Sequence, residues 1–537
     1  MAEQLNADVV VVGAGGAGLM AALAARDAGA NVFLLAKGPL GRAANTAMAA
    51  GIFNSAGNDY PLSAYLDDTL RAGKGLNDPR LAELLVHSSS AALEALKALG
   101  VPLTRTRTGF IIPHEEGQRT LPGLTFSEAL ARLVTDRGVR TLPGFHAFKL
   151  LVANNRAAGV QGLTANGDEA IIAAPAVVLA TGGGGALYIR HDNATGMTGD
   201  GYAMALQAGC RLQDMEFVQF YPMGLQEPRL PMTMVHPPYP PQARILDAAG
   251  RNILKELGAF KDLNQAITQV RDKASQLFFR KGQEGGLFLD LSGVPEKEWR
   301  QNYALQLLDR YRFDFRNKPC RIAPLAHFFM GGVTVTPDMQ TDVAGLFAAG
   351  EVVGGLHGAN RMGGNALTEA IVEGEIAGRG AASCAKQTQK SKTAVSNTVP
   401  LRSTGLVPKG KMRPEFKMVF AQLKQAAWDH AGILRQKTGL HHGSEFLARL
   451  ETNAALLAPQ NLNELRARNQ IRNGLLVLHC ILESSLIRKE SRGAFFRTDY
   501  PEQNDSQWLC NIYISLNNSG RLILERGALH ESTWHTE

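Results

Sequence analysis

Cysteine is scarce, with five thiols in 537 residues (Cys210, Cys320, Cys384, Cys480 and Cys510) and no C-x-x-C pair. Thiols so widely spaced form no sequence-local metal or iron–sulfur site, so no metal site is expected. They fit a reducing, cytoplasmic setting, or one at the membrane periphery through a partner. The chain also lacks any run of about 18 apolar residues, and its first residues show neither a basic segment before a long apolar core nor a twin arginine. Direct membrane insertion and export are therefore not expected. An excess of one charge is missing too. The net charge of +7 is modest, and lysine and arginine do not gather with aromatics into a stripe, which argues against nucleic acid and leaves a solvated basic surface. No repeat at solenoid spacing occurs. What is present is a 45% hydrophobic chain, long enough for two to four domains with a large core.

The N-terminal segment DVVVVGAGGAGLMAALAARDAG carries the first chemistry. Val9 to Val12 predict a buried strand, Gly13, Gly15 and Gly18 follow at G-x-G-x-x-G spacing, and Ala21 to Ala25 continue as a helix. Glycine there permits a tight turn and lets backbone approach a pyrophosphate, whose charge suits a helix N-terminus. The acid that would hold a ribose hydroxyl, expected roughly 20 residues on, is absent, because the second strand NVFLLAKG ends in Ala36 and Lys37. That absence counts against a plain NAD site.

Further along, Val177 to Ala180 predict a strand opening into Thr181 to Gly185, which again brings backbone close to a ligand. SEALARLVTDRG reads as an amphipathic helix, and residues 146–172 as an antiparallel excursion with turns at Asn154 and Asn166. TGDGYAMALQAG starts another helix with Asp200 at its mouth. From about 211 to 320 the strand–helix rhythm gives way to Pro-rich, irregular sequence, as expected of an inserted domain, and it returns at 321. A Lys/Ser/Thr/Pro-rich stretch at 385–412 reads as a linker before three helical patterns. The expected architecture is an α/β Rossmann-like nucleotide-binding domain (1–210 and 321–384) with an inserted α+β capping domain (211–320) and a C-terminal helical bundle and tail (413–537).

Between His327 and Leu367 the chain reads HFFMGG, GLFAAGE and HGANRMGGNAL. Together with GAGGAG, RAANTAMAAG, ATGGGG, TGDGYAMALQAG and MEFVQFYPMG in this order, these motifs resemble the flavoprotein subunits of succinate dehydrogenase and fumarate reductase, and L-aspartate oxidase. The tail RKESRGAFFRTDYPE is similar to the same group, so the resemblance covers nearly the whole chain. It implies bound FAD. Gly13, Gly15, Gly16, Gly18, Lys37 and Gly38 would serve the adenine and pyrophosphate end, with further contacts from Thr46, Gly51, Thr181, Gly182, Asp200, Glu351, Asn365, Ala366 and Leu367. Glu351 would accept a hydrogen bond from a ribitol hydroxyl; a helix-capping acid is the plain alternative. Many members attach FAD to a histidine in R-S-H-T. Here Arg42 to Thr46 read RAANT, with Asn45 at that position, so FAD is expected to be non-covalent. That leans away from succinate oxidation.

The resemblance also implies that His327 and Arg361 clamp a substrate carboxylate, for which a bidentate guanidinium is well suited. Arg271 in VRDKAS would handle a proton, although arginine is an unusual acid and a surface pair with Asp272 is the alternative. Two departures stand out. The family's Q-F-H-P-T-G reads Gln219 to Gly224 as QFYPMG, putting Tyr221 in place of a carboxylate-binding histidine. The family's T-E-x-x-R-G-E-G is missing, and MVHPPYPPQARILDAAG places His236 near the lost glutamate. Tyr221 and His236 would donate hydrogen bonds or simply fill the cavity, and the second substrate group is expected not to be the usual small carboxylate. The implied activity is that of an FAD-dependent oxidoreductase subunit moving hydride between flavin and a carbon–carbon bond beside a carboxylate, with a separate iron–sulfur protein as electron partner. L-aspartate oxidase, and an electron-transfer flavoprotein without its own substrate, are the alternatives.

Overall fold

The computed structural model describes residues 5–114, 118, 120–390, 402–407 and 410–531, the side chains of 389, 390, 402 and 403 excepted. In chain order, β1 (Val9–Val12), α1 (Gly16–Asp27) and β2 (Val32–Ala36) make the opening βαβ unit, and β3 (Arg140–Pro143) follows beside β2. The antiparallel strands β4 (His146–Ala153), β5 (Arg156–Leu163) and β6 (Asp168–Ala173) precede β7 (Ala176–Leu179) and α2 (Asp200–Gln207). Next come β8 (Val218–Leu225), β9 (Arg244–Asp247), α3 (Leu263–Gln283), β10 (Leu287–Asp290) and β11 (Cys320–Phe329). They lead to β12 (Leu346–Ala348) and α4 (Asn365–Lys390). The chain ends in α5 (Pro414–Ala431), α6 (Lys437–Ala455), α7 (Leu462–Ile487), β13 (Asn511–Leu516) and β14 (Leu522–Gly527).

The central sheet is parallel throughout, in the order β12-β7-β1-β2-β3. Helices cover its faces, which is why β1 can be four valines with no polar alternation. Helices α1 and α4 cross closely because Gly374 and Gly378 lie one turn apart on α4. A Cβ on Gly374 would sit 2.5 Å from the Ala17 carbonyl oxygen, and one on Gly378 2.3 Å from that of Ala21. The β4–β5 hairpin turns through Asn154 and Asn155 with φ of 51° and 55°, the left-handed pair that a two-residue turn requires.

The second sheet, β8-β11-β10-β9, is antiparallel, and α3 packs on it over a separate core containing Tyr221, Phe278 and Trp299. Strand β11 reaches Phe329 and so carries this sheet beyond residue 320, where the inserted segment was expected to end. The expected linker differs more. Residues 385–390 are the last turns of α4, because Ala381, Ala382 and Ala385 continue its apolar stripe into the core, and Arg402–Ser403 pair with β6. The rest of that stretch, 391–401 with 408 and 409, lies outside the described residues. Helices α5, α6 and α7 pack on one another, and α7 also packs on α2. The hairpin β13–β14 was not expected in this region; it joins Leu212–Gln213 and Gly332–Val333 in a further four-stranded sheet. No helix among the described residues is long and apolar enough to cross a membrane.

Candidate active site

The turn after β1 opens the site. Gly13 adopts φ 115°, and a Cβ there would lie 2.0 Å from the Ala180 carbonyl oxygen, so β1 and β7 can close together only around glycine. Helix α1 begins with no cap from its own N-cap residue, Gly15, and no acid in its first turn, so the positive end of its dipole is open to an anion. Gly16 N–H donates to Thr46 Oγ1 at 2.9 Å and ties the short helix Asn45–Met48 to this turn. Lys37 Nζ donates to Asp200 Oδ2 at 2.5 Å and to the Gly196 carbonyl at 2.8 Å. Burial alone would raise the Asp200 carboxyl, but Lys37 and His146 beside it, with hydrogen bonds from Lys37 and Asn473, bring it down to about 2.

From here one cavity of about 890 Å³ runs to the second sheet. Its wall includes Gly13, Gly15, Gly16, Lys37, Gly38, Thr46, Gly51, Thr181, Gly182, Asp200, Glu351, Ala366 and Leu367. Tyr221, His236, Arg271, His327 and Arg361 line the same cavity, so the structure brings both predicted groups together. Gly18 and Asn365 lie outside the wall. A Cβ on Gly18 would be 1.8 Å from the Gly13 carbonyl oxygen, so its place is helix-to-strand packing. Asn365 is fully buried, accepting from Asn54 and Tyr65 and donating to Thr69. Uncapped amides, glycine-lined walls and an elongated cavity fit FAD.

Glu351 is no helix cap: Oε1 accepts from Phe329 N–H at 3.1 Å and Oε2 from Asn45 Nδ2 at 3.2 Å. Burial pushes its carboxyl up to about 7. Asn45 also donates to Asn193 and accepts from Ala194 N–H, so its amide is committed on both sides.

At the other end, His327 Nδ1 meets Asp192 Oδ2 at 2.7 Å, and Asn193 donates to the His327 carbonyl. A carboxylate behind an imidazole fixes the ring's orientation and tautomer. Arg361 is 6% exposed; Nη2 donates to Gln219 Oε1 at 3.0 Å and its guanidinium lies 4.3 Å from the Phe328 ring centroid. Its Nε finds no partner. Burial first, and Arg271 next, lower Arg361 to about 10, which still leaves it charged at neutral pH. Helix α3 is kinked at Val270 (φ −134°, ψ 37°), just before Arg271. Arg271 Nη2 then donates to the Arg361 carbonyl at 2.7 Å and to Asn360 Oδ1 at 3.2 Å, while Asp272 receives Asn360 Nδ2 at 2.6 Å. The expected alternative, an Arg271–Asp272 surface pair, is thus replaced by a bridge through Asn360. The Tyr221 ring lies 5.5 Å from His327, and its hydroxyl is 2.5 Å from that of Tyr239. His236 is buried, with Nδ1 unpartnered, and burial lowers it to about 4.

Sequence reasoning missed Asp192, Gln219 and Asn360. The polar run RHDNATG after the ATGGGG strand was the available signal for Asp192. Among the described residues, no group of three or more His, Cys, Asp or Glu is placed to hold a metal ion.

This geometry is that of an FAD-dependent oxidoreductase with two arginines and a histidine lining the far end of the cavity. An FAD binding domain profile matches residues 8–367, and a fumarate reductase flavoprotein C-terminal profile matches 420–535. A fumarate reductase (CoM/CoB) subunit from Methanothermobacter marburgensis is 31% identical, over 96% of this chain and 98% of the relative. L-aspartate oxidase of Nostoc sp. is 30% identical, over 93% and 91%. The solved structure of E. coli quinol fumarate reductase superposes with a TM-score of 0.83 at 26% identity, covering 99% of this chain and 98% of that one. The chain belongs to the FAD-dependent flavoprotein family of fumarate reductase, succinate dehydrogenase and L-aspartate oxidase.

Proposed function

We propose that this chain exchanges hydride with a carbon–carbon bond adjacent to a carboxylate, as the catalytic flavoprotein of a fumarate reductase-like complex. The observation that carries this reading is the pair Arg271 and Arg361 on the cavity wall beside His327, the first donating from its guanidinium to the backbone carbonyl of the second at 2.7 Å. Bound FAD supplies the two-electron chemistry. Arg361 presents a planar donor fork to the substrate carboxylate, and His327, held at Nδ1 by Asp192, stands alongside it. Drawing charge toward that carboxylate polarises the adjacent bond, and donors fixed beforehand stabilise enolate-like charge without reorganising. Arg271, aimed by the Val270 kink and braced by Asn360, holds the proton exchanged at the neighbouring carbon.

The electron partner we infer is an iron–sulfur protein, and the setting cytoplasmic; five free, scattered cysteines agree with both. Substitution of the family's carboxylate-binding histidine by Tyr221 weighs against aspartate as substrate. Anaerobic stopped-flow of the reduced holoenzyme against fumarate, iminoaspartate and larger enoates tests the reading. At least one enoate is expected to reoxidise the flavin; failure of all of them refutes a catalytic role.

A further inference from the structure

Among the described residues, neither arginine on the cavity wall donates to a carboxylate. Arg271 Nη2 spends its two protons on the Arg361 carbonyl at 2.7 Å and on Asn360 Oδ1 at 3.2 Å. Gln219 Nε2 spends its two on the same pair of oxygens, at 3.1 Å and 2.7 Å. Gln219 Oε1 then accepts from Arg361 Nη2 at 3.0 Å, which closes a frame of two guanidiniums, two amides and one backbone carbonyl. A guanidinium only donates, so the oxygen of each amide has to face it and neither amide can flip.

Both amides stand behind the wall. Neither lines the cavity, and Gln219 is fully buried, so a ligand feels them only through the arginines. A carboxylate is close by and is kept off. Asn360 Nδ2 donates to Asp272 Oδ2 at 2.6 Å, so Asp272 meets an amide N–H although it follows Arg271 directly in the chain. Two other buried arginines are treated differently: Arg488 donates to Glu216 and Glu490, and Arg492 to Glu490 and Asp505. Arg435 also ends on neutral oxygens, but away from the cavity wall. A carboxylate in contact would occupy the donor fork and cancel its field. An amide oxygen orients the fork and leaves the charge in place. The Nε of both Arg271 and Arg361 is buried without a partner, and burial first, then Arg271, lowers Arg361 to about 10.

We propose, resting on the functional reading above, that Gln219 and Asn360 are positioning residues: they hold the two guanidiniums side by side through neutral oxygens and keep Asp272 off Arg271, so that the charge of the pair is reserved for the substrate carboxylate.

The double substitution N360D with D272N exchanges acid and amide. Every hydrogen bond of the frame can survive, with the new amide donating to the new acid, and the net charge is the same, but the anion now touches Arg271. Oxidised holoenzyme is titrated with fumarate, crotonate and cinnamate, and with the neutral crotonamide and cinnamamide, following the flavin absorbance. FAD content and Tm are measured on the same preparations. The exchange should weaken binding of the acids at least tenfold, about 1.4 kcal/mol, and leave the amides within twofold of wild type. A purely structural role would move acids and amides together. D272N alone keeps the frame and removes the anion behind it, so the acids should bind more tightly, and this variant decides the matter where the exchange loses FAD. Equal affinity for the acids in the wild-type and exchanged proteins, or a tenfold loss in D272N, overturns the assignment. If in that case an enoate still reoxidises the reduced wild-type flavin, the catalytic reading stands. If no acid binds the wild type and none reoxidises it, both fall.

Discussion

Replacing Arg361 by lysine keeps the charge and removes the fork. In the structure the guanidinium lies 4.3 Å over Phe328, is held by Gln219 at 3.0 Å, and is 6% exposed. Lysine would keep one donor direction toward a substrate carboxylate where arginine offers two parallel ones. Losing one charge-assisted hydrogen bond costs roughly 1.5–3 kcal/mol. The face contact with Phe328 is made with or without substrate, so its loss, roughly 1 kcal/mol, falls on stability rather than on kcat/KM. The hydrogen-bond loss alone, roughly 1.5–3 kcal/mol, corresponds to a loss of about 13- to 160-fold in kcat/KM. The assay is the second-order rate of flavin reoxidation by whichever enoate proves active, with FAD content and Tm measured on the same preparations. FAD content should change little, and Tm should fall only by what the lost Phe328 and Gln219 contacts account for. A loss below about tenfold at full FAD occupancy would refute the claim that Arg361 is the main carboxylate anchor.

Acid precipitation of the holoenzyme should release yellow flavin into the supernatant, because the Asn45 amide cannot form the bond a histidine would; colour retained in the pellet would contradict this. Glu351→Gln should stabilise the apoprotein at pH 8 and leave it unchanged near pH 4, while weakening FAD retention. The sign follows from burial raising the folded pKa to about 7: the folded protein favours the protonated acid, so wild-type stability is lost as pH climbs from the unfolded value toward 7. Thermal melts at the two pH values check it, and equal shifts at both would contradict it. Gly374→Ala places a Cβ 2.5 Å from the Ala17 carbonyl and should separate α1 from α4, costing roughly 1–3 kcal/mol and lowering FAD occupancy together with Tm. A calorimetric Tm within about 0.5 °C of wild type, a margin of roughly half a kcal/mol for a chain this size, would show that the helices have room to give.

How far the sequence could be read depended on whether a signal was local. The β1–α1 unit was legible because a valine run, a glycine spacing and an alanine helix specify strand, turn and helix without help from elsewhere. Arg361, His327 and Arg271 were legible through motif order. Asp192 and Asn360 were not, because their roles exist only through contacts made 135 and 89 residues away in sequence, to His327 and Arg271 respectively. The extension of α4 through 390 was hidden by the linker-like composition of the sequence around it. The alanines facing α1's layer decide that segment, and they outweigh its Lys and Gln content. The strands β13 and β14 were obscured in a segment read as a tail, since their partners Leu212 and Gln213 lie some 300 residues upstream, and an edge of that kind has no local signature.

The site's electrostatics also differ from what a count of formal charges gives. Glu351 and Glu369 act on Arg361 together with Asp192, and Glu373 is a further buried acid acting with Glu369; the three glutamates would seem to cancel both arginines. Burial raises all three: Glu351 to about 7, Glu369 to about 8, and Glu373 well above its ordinary value, with Glu369 adding to that last shift. Glu369 sits 3.1 Å from His357, which burial drives well below its usual value, so this pair rests as neutral acid and neutral imidazole. Arg361, lowered to about 10, remains charged across the same range. Glu369 is largely protonated and Glu351 about half so near neutral pH while Arg361 keeps its charge, so the surroundings of Arg361 are less negative than their composition suggests. On the proposed function, a substrate carboxylate at Arg361 meets a guanidinium whose neighbouring glutamates have given up much of their charge.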